Sequence, residues 1–367
     1  MMMIEPRGGI SKRMQMAIPV IAAFVALALA ALPLAFAGAP IFPAYWEMFN
    51  GVFGSMFSFT EMLTRATPLI FTGLAAALAF KARLWNIGAE GQLYLGAMGA
   101  VAVGTGLVDG PAILMIPLVM LAGAGAGAAG MLGPAILKTR FGADEVVTSL
   151  LLNFIILIFV QMMLEGPLKD PMSMGWPQSE PILDNAALPR LSDVLPSQIT
   201  IMDRMRIHSG LIVALIAAVV AQIALSKTTW GFKIRAVGEN AAAARHAGIG
   251  VNRTLLGVAC ISGALAGLAG VSEVAGLKGY LTTDLSPGYG YSGIVVAMLA
   301  GLSPIGVVIA ALYVASVFVG ADSMSRAMGV SSFLADLVVS LSLISVLVGG
   351  FFARYRIRFT GKAGSPS

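Results

Sequence analysis

Four side chains in the first half of the sequence have the chemistry to recognise a small polar solute. Asn86, Glu90 and Gln92 fall in the stretch KARLWNIGAEGQLYLGA, Lys81–Ala97, where Gly88 and Gly91 flank the carboxylate. Asn153 stands inside an apolar run that begins at Val146. Amides and carboxylates donate to and accept from hydroxyls and ring nitrogens. Glycines beside Glu90 permit an unwound or re-entrant backbone, tolerated at membrane depth only where protein or a wet cavity satisfies the freed groups. An ionisable residue there marks a functional path, so Asn86, Glu90, Gln92 and Asn153 are expected to line or shape one. The competing reading puts Glu90 in the aqueous interface, paired with Lys81 or Arg83. Asn153 lies about 10 Å along a helix from Val146, deep enough to face a pore.

A different chemistry is suggested by GFKIRAVGENAAAARHAGIGVNR, Gly231–Arg253, a basic island between two apolar runs. Its alanine-rich centre, Asn240 to Ala247, predicts a short helix with Asn240 as N-cap, Glu239 near the positive end and Gly248 as terminator. So short a helix is not stable alone. The segment reads either as a solvated connector or as a surface on which a partner pushes. In the second case Arg235, Glu239, Asn240, Arg245 and Gly248 are the contact candidates.

Several chemistries are excluded. One cysteine, Cys260, and two histidines, His208 and His246, provide no disulfide framework and no His/Cys metal cluster. No catalytic constellation is present. There is no phosphate-binding G-x-x-x-x-G-K-[ST] loop, since the sole Gly-Lys pair, Gly361-Lys362, is followed by alanine. Any energy from ATP must therefore come from another chain.

The elements that must hold these residues are membrane helices. The 367 residues are 58% apolar and 11% charged, against roughly 45–50% and about 25% for a soluble domain. Apolar runs near the length that crosses a bilayer occur at Met16–Gly38, Thr64–Phe80, Gly91–Val108, Ala112–Leu137 and Val146–Glu165. Five more follow at His208–Leu225, Thr254–Val274, Tyr291–Leu302, Pro304–Gly320 and Phe333–Phe352. The expectation is an all-α polytopic membrane protein of about ten spans, with Tyr291–Leu302 short for a full crossing.

Ten spans place both termini on one side, with 16 of the 23 basic residues. By the positive-inside rule that side is the cytosol. The net charge of +5 then needs anionic lipid headgroups and no nucleic acid. The domain reading is a cytosolic tail over residues 1–15, a transmembrane domain over 16–352 and a cytosolic tail over 353–367. Within the membrane domain, 227–253 is the basic cytosolic loop and 166–207 an outer excursion. The run after Lys12-Arg13 is too long for a cleaved signal core.

The outer excursion holds six prolines and reads as a structured loop, either a docking surface for a soluble binding protein or a passive connector. Gly123 and Gly127 in AGAGAGAAG, and Gly263 and Gly267 in SGALAGLAG, are expected packing seams, since small residues let helices approach in lipid. Tyr280, Tyr289 and Tyr291, around LTTDLSPGYGYSG, are expected near the outer face, as a stacking lip or an interfacial belt.

Together ARLWNIGAEGQLYLGA (82–97), ADEVVTSLLLNFI (143–155), EGPLKDP with PQSEPI (165–182), the basic loop (231–253), ISGALAGLAG (261–270) and AMLAGLSPIG (297–306) carry a resemblance. The chain resembles the permease subunits of bacterial ABC importers, in the nucleoside-importer branch of the branched-chain amino acid and simple sugar permease superfamily. The resemblance covers about residues 60 to 350. It implies an importer fold of the vitamin B12 permease type in the bacterial inner membrane. It also implies a second permease subunit, a cytosolic ABC ATPase that holds ATP and Mg, and a periplasmic or lipid-anchored substrate-binding protein. No cofactor is implied on this chain. The basic loop would be the coupling loop. Importer coupling loops often carry E-A-A-x-x-x-G, whereas here Glu239 stands nine residues before Gly248 and Asn240 replaces the first alanine. Nucleosides are the first expected solute, with simple sugars and other small solutes behind. A gradient-driven transporter would need pairable charges at the midplane, which are scarce.

Overall fold

The computed structural model describes residues 2–6, 24–25, 28–106, 108–190 and 206–359. Residues 16–23 and 26–27 of the first expected span, Met16–Gly38, and residues 191–205 of the outer excursion lie outside them. The chain divides into two compact units, one of Met56–Ala315, the other of Met1–Ser55 with Ser316–Ser367.

In the larger unit α3 (Met56–Lys81), α4 (Ala89–Gly104), α5 (Ala112–Phe141), α6 (Glu145–Glu165) and α7 (Gly210–Lys227) run in succession. Two short helices follow, α8 (Thr229–Glu239) and α9 (Ala241–His246), then α10 (Val251–Glu273), which continues into one π-turn, Val274–Lys278. The half-length α11 (Tyr289–Leu299) precedes α12 (Pro304–Met328), whose first half closes this unit; the rest of α12 and α13 (Ser332–Arg354) belong to the smaller one. An apolar run in lipid must satisfy its backbone internally, so these runs become helices. Local chemistry sets the ends. The Asp144 carboxylate accepts from Val146 N at the start of α6, and Gly142, at φ 70°, takes the left-handed conformation that closes α5.

Burial separates the core of this unit from its margin. In α3, 89% of the apolar window is buried, and 67% in α10, against 22% in α5 and α6. The apolar side chains of α6 and α7, such as Leu151, Ile155, Ile158, Ile216 and Val220, are exposed, as lipid-facing surface would be.

The α5–α10 contact is backbone against backbone. A Cβ at Gly127 would stand 2.7 Å from Gly267 Cα and would overlap the Gly263 carbonyl oxygen. One at Gly267 would overlap the Gly123 carbonyl, and one at Gly123 would stand 2.8 Å from the carbonyl oxygen of Gly96 on α4. The four seam glycines thus set the spacing of three helices.

In the smaller unit, α1 (Ala28–Phe36) and α2 (Ile41–Phe53) are bent by 116° from each other. Leu34, Ala44, Met324 and Val338 form its buried cluster. On α2, Phe42, Trp46, Phe49 and Phe53 are exposed and recur at helical spacing, which suits a membrane interface. This helix was not expected, because Pro43, Glu47 and Asn50 interrupt the apolar run. Met2–Pro6 and Tyr355–Phe359 pair as a two-stranded antiparallel ribbon in an otherwise helical fold.

Among the described residues, seven helices are long and apolar enough to cross a membrane, or eight if the bent pair counts as one span. The difference from ten lies in α4, with 16 residues, in α11, with 11, and in the undescribed start of the first expected run.

Overpacking a close seam costs about 1–3 kcal/mol. Gly127→Ala and Gly267→Ala should therefore lower the thermal midpoint of the detergent-solubilised complex. On the open side of α5, Gly125→Ala and Gly133→Ala meet nothing within 4 Å and should leave that midpoint unchanged.

Candidate functional site

The backbone between α3 and α4 cannot be helical, because Arg83 at φ 53° turns the chain after Lys81. The non-helical stretch Trp85–Gly88 that follows is satisfied by side chains from three helices. Trp85 N donates to Glu145 Oε1 at 3.2 Å, and Ile87 N to Ser149 Oγ at 3.2 Å. The Ile87 carbonyl accepts from Asn153 Nδ2 at 2.9 Å, and Asn153 Oδ1 accepts from Gly91 N at 2.9 Å. Asn86 and Gln92 pair amide to amide, at 2.8 and 2.9 Å. Asn86 also accepts from Gly88 N and donates to Ser262 Oγ on α10 at 2.9 Å, and that hydroxyl donates to the Ala75 carbonyl of α3 at 2.7 Å.

Glu90 joins the same group from the first turn of α4. Its Oε2 accepts from Gly290 N of α11 at 2.6 Å, 200 residues away in sequence. A Cβ at Gly290 would stand 2.5 Å from Glu90 Cα, so the starts of α4 and α11 touch. Thr72 Oγ1 of α3 donates to the Tyr289 carbonyl at 3.0 Å, and Asn153 Nδ2 to Tyr291 Oη at 3.3 Å. Asn86, Glu90, Gln92 and Asn153 are thus brought together, all buried. Their bonds go to protein backbone, to one another and to the hydroxyls of Ser262 and Tyr291, which shapes the interior between α3, α4, α6, α10 and α11. Ser262, Ser149, Glu145 and Thr72 belong to the cluster as well. Single hydroxyls and an end-of-span glutamate carry no signal in sequence that separates them from ordinary helix residues.

Tyr289 and Tyr291 depart from their expected place near the outer face. Tyr289 is buried beside Thr72 and Tyr291 lies beside Asn153, and these two partners stand well inside α3 and α6, away from either end. The physical reason is that the segment before α11 dips into the unit instead of staying above it.

The basic loop forms α8 and α9. Thr228 N-caps α8, accepting from Gly231 N at 3.1 Å. Gly231, Ile234, Val237 and Gly238 form its buried face, and a Cβ at Gly238 would overlap the Lys81 carbonyl at the end of α3. Asn240 Oδ1 accepts from Ala243 N at 3.0 Å to start α9, and Gly248, at φ +79°, follows its end. Arg235 is half-buried, whereas Glu239, Asn240, Arg245 and Gly248 are exposed. Arg235, Glu239 and Arg245 form no ion pair with another described residue. The first of the two helices, Thr229–Glu239, was expected to be loop; its amphipathic spacing of Gly231, Ile234, Val237 and Gly238 is the signal that was there to read.

At the opposite end, residues 166–190 fold down onto the helices. Leu183 N donates to the Gly104 carbonyl at 2.8 Å, Ile182 N to Gly279 at 2.8 Å and Leu188 N to Ala275 in the π-turn at 2.7 Å. The turn above is held by Asp170, whose Oδ1 accepts from Met172 N at 2.8 Å, and it leaves Met172, Met174 and Trp176 exposed. A cavity of about 100 Å³ below it, lined by Val101, Thr105, Pro167, Leu168, Lys169 and Glu180, is smaller than the roughly 300–1,000 Å³ of a small-molecule site. His208 is buried where Gly210 and Gly276 leave room for its ring. Burial, and secondly the charge of Arg190, lower its pKa to about 4. No group of three or more potential metal ligands occurs among the described residues.

Residues 58–352 match the family described as the branched-chain amino acid transport system permease component. The chain is 37% identical over 356 residues to a glucose ABC transporter permease protein of Haloferax volcanii, covering 96% of this chain and 93% of the relative. It is also 37% identical over 343 residues to a guanosine ABC transporter permease protein of Bacillus subtilis, with 93% and 94% covered. A nucleoside ABC transporter permease protein of Lactococcus lactis is 36% identical over 318 residues, with 86% of each covered. No solved structure matches. The chain belongs to this family of ABC importer permeases: it is a multi-pass membrane transport subunit, and ATP hydrolysis lies on a separate subunit.

Removing the Asn86 amide strands the Gln92 carbonyl oxygen and the Gly88 N–H, at about 1–3 kcal/mol for each buried group left unpaired. Asn86→Leu should therefore lower the thermal midpoint sharply, while Gln161→Leu, exposed and bonded only to Glu165, should not. His208 makes a second prediction. Between pH 6.5 and about 4 the unfolded histidine binds a proton that the folded one does not, so stability falls as pH drops through that window. His208→Gln should flatten the fall in thermal midpoint between pH 7 and pH 5.

Proposed function

We propose that this chain is a permease subunit of a nucleoside importer of the vitamin B12 permease type, with ten crossing segments and both termini in the cytosol. Paired strands from residues 2–6 and 355–359 support an even number of crossings, and the bias of basic residues supports a cytosolic placement for them. In this reading α4 and α11 complete the count as short segments buried among longer helices. The membrane is a bacterial inner membrane. The partners are a second permease subunit, a cytosolic ABC ATPase and a periplasmic or lipid-anchored binding protein.

One observation carries the coupling role. Helices α8 and α9 are braced against the ends of α3, α7 and α10 through a buried face, while Glu239, Asn240 and Arg245 stay exposed, with no ion pair to another described residue. A push on them is passed to the two most buried spans. At the other face, Met172, Met174 and Trp176 sit on a hydrogen-bonded turn, an apolar tip held out rigidly for the binding protein. Two of the three relatives above bear nucleoside names and one a glucose name; nucleosides are the favoured solute, with simple sugars the second reading on the strength of the glucose relative.

In the reconstituted complex, Glu239→Lys and Arg245→Glu should abolish stimulation of ATP hydrolysis by loaded binding protein while assembly is retained. Wild-type stimulation in both would remove the loop from the coupling role. Trp176→Ala should weaken binding-protein affinity by about 2 kcal/mol, as for a central aromatic anchor, measured by surface plasmon resonance on nanodiscs. Titrating the binding protein with guanosine and with glucose decides the solute.

A further inference from the structure

The segment Gly279–Gly288, between the π-turn of α10 and the start of α11, is irregular backbone that descends into the membrane domain. Its upper part is tied to the outer loop: Ser179 N donates to the Leu281 carbonyl at 3.0 Å, and Leu281 N donates to Ser179 Oγ at 2.9 Å. Its lower part is tied to α4. Tyr94 Oη donates to the Thr283 carbonyl at 2.8 Å and accepts from Ser286 N at 3.2 Å. The chain then reaches Glu90 through Gly290 N, Thr72 through the Tyr289 carbonyl and Asn153 through Tyr291 Oη. Thr72 is nine residues from the Lys81 end of α3, and Asn153 eight residues into α6, so both stand about 12–13 Å inside the spans. The segment therefore runs from the outer surface to near the middle of the bilayer.

Its side chains sort by side. Leu281, Leu285 and Tyr289 are buried, whereas Thr283, Asp284 and Pro287 are exposed and Tyr291 is 38% exposed. A carboxylate and a hydroxyl exposed on a segment that enters the membrane domain above Tyr289 cannot face hydrocarbon, and non-helical backbone there persists only against protein or water. Lys278 Nζ, bonded to the Asp284 carbonyl at 2.9 Å, holds the descent in place from above.

We propose that Thr283, Asp284 and Tyr291 line the solute path and contact the sugar ring of an uncharged, hydroxyl-bearing solute. The Asp284 carboxylate accepts from adjacent ring hydroxyls, Thr283 Oγ1 adds a donor and acceptor, and the Tyr291 ring lies along an apolar face of the solute. A ribose and a hexose offer the same hydroxyls, so the ring class is read here and the base, if there is one, is read elsewhere. This rests on the reading of the chain as an importer permease. It goes beyond it by placing the path on a segment that the amide cluster supports from behind.

The test uses the whole complex in proteoliposomes, with Cys260 replaced by alanine and single cysteines at Thr283, Asp284 and, on the lipid-facing side of α6, Ile155. A small charged methanethiosulfonate should modify Thr283→Cys and Asp284→Cys and leave Ile155→Cys unmodified. Guanosine or glucose delivered on the binding protein should slow that modification, and whichever of the two protects identifies the source of the hydroxyls. Asp284→Leu should reduce uptake at low solute by about tenfold or more, the worth of a charge-assisted hydrogen bond, with Asp284→Asn in between. If Thr283→Cys and Asp284→Cys are as inert as Ile155→Cys while the wild type imports solute on ATP, the segment does not line the path and the inference fails alone. If the wild type shows no ATP-dependent uptake of either solute, the nucleoside and sugar readings fail instead.

Discussion

Every backbone group that leaves helical geometry inside a bilayer has to find its partner in protein or water. Two stretches of this chain do so, Trp85–Gly88 and Gly279–Gly288, and the architecture of the larger unit follows from satisfying them. The first is stitched by Glu145, Ser149 and Asn153 from α6; the second is stitched by Tyr94 from α4, while Glu90 of the same helix holds the first turn of α11 that follows it. Because α4 borders both, the two irregular stretches are mechanically joined. A protein that only needed an anchor in the membrane would have no reason to keep such breaks, each of which requires several buried polar side chains. A permease does, since a path for a polar solute needs polar backbone and side chains at depth.

α10 connects the faces of the unit. It begins beside the basic loop at Val251, carries Gly263 and Gly267 of the seam and Ser262 of the amide cluster, and ends in the π-turn that the outer loop covers. With backbone contact to α5 on one side and α4 on another, it has little freedom to deform locally. Displacement at one end is carried along the helix. Insertion of one π-turn marks where the helix stops being regular, directly above the descending segment, and π-turns inside α-helices recur at functional positions.

Legibility in the sequence follows the physics of each element. Long apolar runs read directly as helices because lipid leaves them no alternative, and the alanine-rich α9 was readable because Asn240 and Gly248 are strong terminal signals. The polar character of Asn86, Glu90, Gln92 and Asn153 was readable too, since such groups are costly at depth. Their geometry was not, because a pairing such as Glu90 with Gly290 depends on how α4 and α11 cross. The depth of Tyr289 and Tyr291 was hidden for a related reason: residues 279–288 hold a proline, two glycines and polar groups, as a surface loop does, and only the bonds of this segment to Tyr94 and of Gly290 to Glu90 draw them inward. Apolar α2 was obscured by its proline and its charge, although its aromatic stripe has helical spacing.

The central claim is that Glu90 and Tyr94 hold the start of α11 and the segment before it deep in the membrane domain. Hydrogen–deuterium exchange of the peptide spanning Ser286–Tyr291, in the complex in nanodiscs, tests it most directly. Slow exchange is predicted in the wild type, through the bonds of Ser286 N to Tyr94 and Gly290 N to Glu90, with fast exchange in Glu90→Ala and Tyr94→Phe. Fast exchange of that peptide in the wild type, or slow exchange unaltered in both variants, would contradict the account.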